Sequence, residues 1–218
     1  MNTLAEENYL KAIFALMDEN GEVMVNELSQ RLAIKMPTVS SMMKKLANKN
    51  LVTYESYKPI RLTEKGRVEA ALIIRKHRLT EMYLVEKMGF GWEEVHHIAE
   101  QIEHIQSPEL FAKMDELLGF PALDPHGSPI PDSSGKMIPR EYQKLSHCKT
   151  GEKVKITAVV NTSHEFLTFL NGKQIHLGLE IGIEAFEQFD QSMTIIYNNK
   201  KETVSSAVTE RILVERVK

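Results

Sequence analysis

MPTVSSMMKKLANKNLVTYESYKPIRLT, residues 36–63, decides the fold of the N-terminal part of this chain. Pro37 suits the first turn of a helix, where its missing N–H is not needed. After it, Val39, Met42, Met43 and Leu46 recur at helical spacing to about Asn48. The texture then changes. Val, Thr, Tyr and Ile residues flanking Lys58-Pro59 predict two short strands joined by a turn. Upstream, Leu4, Leu10, Ile13, Phe14 and Met17 predict a first helix that Asn20-Gly21 ends. VNELSQRL (25–32) predicts a short amphipathic second helix, and Ala33-Ile34-Lys35 a tight link to the third. Three short helices followed by a two-stranded ribbon is the winged helix-turn-helix plan.

The 218 residues carry a net charge of −3, which on average argues against a nucleic-acid partner. The average hides a local excess. Arg31, Lys35, Lys44, Lys45, Lys49, Lys58, Arg61 and Lys65 face only Glu55 and Glu64 over the same stretch. Lys and Arg on a helix and wing, with Lys44, Lys45 and Arg61 foremost, are the electrostatic footprint of a double-stranded DNA binder. The short side chains of Pro37, Thr38, Ser40 and Ser41 would approach base edges. A solvated helix face would also account for the lysines alone.

Downstream, the pattern predicts a long helix from about Glu64 to Lys87, a second over Trp92–Gln106 and a third from Ser107-Pro108 to about Leu118. Five of the eight prolines fall between Pro121 and Pro139, so that stretch reads as an irregular linker. After Gly151, KVKITAVV, FLTFL, IHLGLEI, MTIIY and RILVERV predict about five strands of a small barrel. The fold class expected is α+β and multidomain: 1–63 winged helix, 64–120 helical domain, 121–150 linker and 151–218 barrel.

Two constellations carry chemistry. His77 and Glu81 are an i,i+4 pair on the long helix. In VHHIAEQIEH (95–104), His96, Glu100, Glu103 and His104 fall on one helical face, opposite Val95, Ile98, Ala99, Ile102 and Ile105. Imidazoles and carboxylates without Cys or Met are hard or borderline donors, suited to Mn²⁺ or Fe²⁺. A surface ion pair would explain His77–Glu81 alone, and a charged solvent face the second set. A metalloenzyme is not expected. Glu93-x-x-His96 and Glu94-x-x-His97 lie on one helix only, whereas a di-iron bundle needs such motifs on two. A winged-helix regulator of a non-metal ligand is the other alternative.

No run of about 18 apolar residues is present. The N-terminus MNTLAEENYL lacks the basic and apolar regions of a secretory signal. A single cysteine, Cys148, excludes an internal disulfide framework. A cytoplasmic protein without membrane association is expected.

Taken together, these residues resemble the iron- and manganese-dependent repressors of the diphtheria toxin repressor and manganese transport regulator family. ENYLKAIFAL resembles the family's first helix and MPTVSSMMKKL its recognition helix. RKHRLTEMYL and VHHIAEQIEHIQS resemble its metal-ligand signature, and HGSPIP its linker. The resemblance implies a homodimer on operator DNA and an SH3-like (FeoA-like) C-terminal barrel. It implies a primary metal site of Glu100, Glu103 and His104 with Asn8, and an ancillary site of His77, Glu81 and His96 with His164 or Glu165 from the barrel. Three positions depart from the pattern. Asn8 is neutral where the family has Met or Asp, which weakens the primary site or leaves its place to water or to Glu7, Lys11 replaces a Glu of the manganese members, and Glu100 replaces a Cys of iron-sensing ones.

Overall fold

The computed structural model describes residues 2–138 and 140–217. The chain divides into two units, Met1–Thr80 with Ala99–Phe120 and Ile130–Ile138, and Glu81–Ile98 with Pro121–Pro129 and Pro139–Lys218.

The first unit opens with α1 (Leu4–Leu16), α2 (Val25–Leu32) and α3 (Met36–Asn48). Thr3 and Glu6 form a capping box on α1, satisfying two amides that a helix start leaves unpaired. β1 (Val52–Thr53) and β2 (Arg61–Leu62) pair antiparallel, Val52 opposite Leu62, and a bridge between Val23 and Ile60 extends this wing. Leu10, Ile13, Leu28, Val39, Met43, Leu46, Leu51 and Ile60 are buried together, so the spacing that predicted the helices is the spacing of the core. α4 (Glu64–Met88) follows at once. At Gly66 a Cβ would stand 1.9 Å from the Leu51 carbonyl oxygen, so the helix packs on the ribbon only because this residue is glycine.

α5 is His96–Ile102, much shorter than the Trp92–Gln106 helix the periodicity predicts. In a continued helix the carbonyls of Trp92 and Glu93 would accept the amides of His96 and His97. Instead they face imidazole nitrogens of His126 and His164, at 2.9 and 3.0 Å. Past α5 the Ile105 N–H bonds to the Ile102 carbonyl, which tightens the turn, and Ile105 is 42% exposed rather than buried. α6 (Pro108–Leu117) starts at an N-cap, Ser107.

In the second unit, β3 (Gln143–Lys144) lies inside the stretch read as linker and pairs with the last strand. Then come β4 (Lys153–Val159), α7 (His164–Gly172), β5 (Glu180–Phe186), β6 (Met193–Tyr197), β7 (Lys200–Val204), α8 (Ser206–Thr209) and β8 (Ile212–Arg216). The antiparallel sheet runs β3-β8-β4-β5-β6-β7. FLTFL is helix, not strand. Ser163 caps α7, and Phe166, Leu167 and Leu170 make a helical stripe against the sheet core. β7, KKETV, has no alternation of apolar residues to announce it.

Candidate metal centre and nucleic-acid face

The carboxylate of Glu103 is fully buried in the turn after α5. A buried charge must find partners. His77 Nδ1 lies 2.5 Å from one oxygen, and Lys11 Nζ donates to the other at 2.7 Å. His104 Nε2 is 3.5 Å from that second oxygen. Burial opposes ionisation, but the hydrogen bond and charge of His77 and the charge of Lys11 outweigh it, so the carboxyl sits below the usual glutamate range. The other ring nitrogen of His104 meets Glu7 at 2.6 Å, and Gln106 donates to the second Glu7 oxygen at 3.0 Å.

Glu7 and Lys11 are four apart on α1 and share a face, which is why both reach the turn after α5. Asn8 is half-buried and lies about 100° round the helix from Glu7. The structure thus sets Glu7, not Asn8, against His104. Glu100 remains half exposed, 3.6 Å from Lys11. The helical face proposed for residues 96–104 therefore breaks up, because α5 ends before Glu103.

A second cluster lies in the other unit. Ligand atoms of Glu81, Asp124 and His126 all fall within 4.8 Å of one another, and all three residues are buried. His96 Nδ1 is 3.2 Å from Glu81. His77 stands one turn before Glu81 on α4. Asp124 accepts the amides of His126 and Ser128 at 2.8 and 2.9 Å, which folds DPHGSP into a tight turn. Gly127 is required there, having φ 85° and Thr157 carbonyl oxygen 2.2 Å from where a Cβ would be. A carbonyl only accepts, so the contact of His126 Nε2 with the Trp92 carbonyl places the proton on Nε2 and turns Nδ1 toward Glu81, 3.6 Å away. Burial disfavours protonation of His126, but the hydrogen bond and charge of Glu81 prevail and raise its pKa.

Two buried carboxylates with imidazoles and no sulfur are the donors a Mn²⁺ or Fe²⁺ ion takes. Asp124 and His126 carry no helical spacing that would mark them in the sequence. The available signal was Asp-x-His in a Pro- and Gly-bounded turn. Glu165 sits exposed in the first turn of α7 and His164 is exposed too, and neither joins a three-ligand group among the described residues.

Trp92, the chain's one tryptophan, stacks on the His126 ring at 5.9 Å. Mn²⁺ bound at Glu81, Asp124 and His126 is therefore expected to quench its fluorescence, and His126→Ala to remove most of that response. Undiminished quenching in the variant would place the ion elsewhere.

On α3, Val39, Met43 and Leu46 are buried, while Pro37, Thr38, Ser41, Lys44 and Lys45 are exposed and Ser40 is half-buried. The basic stretch is less free than its charge count implies. Lys45 and Lys49 both meet buried Glu6, at 3.2 and 2.8 Å. Arg61 pairs with Glu22, and Lys58 with Glu55. Glu6 and Glu22 lie upstream of residues 31–65 in the sequence.

A winged helix joined to helices rich in imidazole and carboxylate defines a metal-responsive, DNA-binding class of protein, and comparison with known families agrees. The profile for "Iron dependent repressor, N-terminal DNA binding domain" matches residues 1–60. That for "Iron dependent repressor, metal binding and dimerisation domain" matches 63–132, and the FeoA domain profile 143–216. The diphtheria toxin repressor of Corynebacterium diphtheriae is 32% identical over 97% of this chain and 96% of its own length. Iron-dependent repressor IdeR of Mycobacterium bovis is 36% identical, over 60% of this chain and 58% of its own length, so the chain spans under two thirds of that relative. A solved structure titled manganese-dependent transcriptional repressor complex with manganese superposes with a TM-score of 0.89 at 29% identity, covering 97% of this chain and all of that one. The chain belongs to the diphtheria toxin repressor family of iron-dependent repressors.

Proposed function

We propose that the chain is a Mn²⁺- or Fe²⁺-dependent repressor that binds double-stranded operator DNA as a homodimer in the cytoplasm, without catalysis. Residues 1–63 serve as DNA-binding domain, 64–120 as metal-binding and dimerisation domain, 121–150 as linker and 151–218 as SH3-like barrel. No described helix is long and apolar enough to cross a membrane. The observation that carries the reading is that α1 of the winged helix reaches the metal-type donors after α5, Glu7 to His104 and Lys11 to Glu103.

In the primary site Glu103, His104 and Glu7 are the donors, with Glu100 at the open side. Glu81, Asp124, His126 and His96 supply a second site, with His77 one turn away. A divalent cation held by Glu7, Glu103 and His104 would supply the positive charge that links these side chains. Glu7 belongs to α1 and Glu103 to the segment after α5, so joining them fixes the winged helix on its support. Two recognition helices of a dimer must match half-site spacing, which favours the fixed state on DNA. Lys11 competes for Glu103 and sets the cation concentration at which this happens. The histidines bind a cation only when neutral, so binding weakens in mild acid.

Anisotropy of labelled promoter fragments with Mn²⁺, Fe²⁺, Zn²⁺ or chelator tests this reading, and DNA binding indifferent to chelator would refute it. In the same assay affinity should fall with salt, by about 0.9 in log–log slope per phosphate contacted. Lys44→Ala should reduce that slope by roughly one contact on every sequence. Lys45→Ala should reduce it less, because Lys45 is already engaged by Glu6. Equal effects would mean that the Glu6 contact does not hold in solution.

A further inference from the structure

Glu6 and Glu7 are consecutive, both buried, and face different partners. Glu6 looks toward α3. Its Oε2 accepts the Thr3 N–H at 2.7 Å and Lys49 Nζ at 2.8 Å. Its Oε1 has Lys45 Nζ at 3.2 Å but no well-directed hydrogen bond. Lys45 and Lys49 stand in the last turn and at the C-cap of α3. Glu7 looks toward the segment after α5, bonded to His104 and Gln106.

An α-helix does not let neighbouring residues move independently, since backbone hydrogen bonds tie each turn to the next. Whatever shifts Glu7 along or around α1 shifts Glu6 with it, and Glu6 grips the end of the recognition helix. Two lysines and the Thr3 amide hold that carboxylate, so a displacement of α1 is passed on to the end of α3. We propose that Glu6 is a positioning residue that couples the Glu7–His104 site to the orientation of α3. This rests on the metal-responsive reading above and assigns it a route. Glu6 contacts Thr3, Lys45 and Lys49 rather than the metal-type donors. It acts by favouring one arrangement of α3, and a coupling between two sites is reciprocal.

The test uses the full chain carrying Glu6→Gln, which keeps the volume and an acceptor for Thr3 but removes the charge. The measured quantity is the ratio of operator affinities with Mn²⁺ and with chelator. Allosteric couplings typically span about 5–150-fold, and the ratio is expected to fall at least about fivefold in the variant. Calorimetric Mn²⁺ affinity without DNA should stay within about twofold of wild type, while the extra Mn²⁺ affinity conferred by operator DNA should shrink by the same factor as the ratio. Amide exchange over residues 44–49 should slow on Mn²⁺ addition in wild type and not in Glu6→Gln. A purely structural role would lower thermal stability and leave the ratio and the Mn²⁺-dependent exchange unchanged, which would overturn the proposal. Should Glu6→Gln fail to fold, Lys49→Met removes the 2.8 Å arm and must reduce the ratio in the same way. An unchanged ratio in that folded variant overturns the proposal equally. Wild-type protein with no metal dependence would instead refute the functional reading itself.

Discussion

Glu103→Gln is expected to abolish the Mn²⁺ response of DNA binding and to destabilise the first unit. The substitution preserves shape and deletes one charge from a network holding His77 at 2.5 Å, Lys11 at 2.7 Å and His104 at 3.5 Å. Removing one member of a buried ion pair costs about 3–5 kcal/mol when the other charge stays buried. Lys11 keeps Glu100 at 3.6 Å and some solvent access, so the lower end of that range is expected. The loss should depend on pH. The Glu103 carboxyl is held below its ordinary range, so its stabilisation is complete above the unfolded glutamate pKa and fades as pH falls through the folded one. Glu6 behaves likewise, between 4.5 and about 2. Urea unfolding at pH 7 should therefore separate wild type from Glu103→Gln, and the gap should narrow toward pH 3. A constant gap would assign the loss to packing rather than charge. A preserved Mn²⁺ midpoint in DNA anisotropy would remove Glu103 from the site.

Much of this architecture was legible in the chain because local signals agreed with the tertiary ones. Residues 25–48 form the predicted helices since Leu28, Val39, Met43 and Leu46 are at once helically spaced and the core of the winged unit. Misreadings arose where a tertiary partner overrode the local pattern. Trp92 and Glu93 fit a helix, yet their carbonyls serve His126 and His164. FLTFL has the β-propensity of a strand, yet Ser163 caps it as a helix and its Phe and Leu side chains cover the sheet. The same limit applies to the sites. Glu81, Glu103 and His104 stand out by donor chemistry, but Glu103 and His104 do not share the expected helical face, because α5 ends at Ile102. Asp124 and His126 were hidden in a turn whose prolines suggested only a linker. The positive charge of residues 31–65 is less free than its excess suggests, because Glu6, far upstream in the chain, is folded against Lys45 and Lys49.

The choice between Glu7 and Asn8 as the donor from α1 has a decisive pair of variants. Sequence alignment by position places Asn8 in the site, and the structure places Glu7 against His104 at 2.6 Å. Glu7 is buried, with Gln106 orienting its second oxygen at 3.0 Å, so its carboxylate is already fixed at the ring it would share an ion with. An anionic donor held in place gains more from a dication than a neutral amide on a half-buried flank. Glu7→Gln is expected to raise the Mn²⁺ concentration needed for DNA binding by on the order of tenfold, equivalent to about 1.4 kcal/mol. Asn8→Asp adds a charge one residue away, but its side chain projects about 100° round the helix, so a shift of no more than about twofold is expected. Each midpoint can be read from Mn²⁺ titrations followed by DNA anisotropy, with calorimetry confirming that the change lies in metal binding. Asn8→Asp tightening the midpoint tenfold while Glu7→Gln leaves it untouched would return the site to Asn8. It would also leave the Glu7–His104 contact a plain ion pair between α1 and the turn after α5.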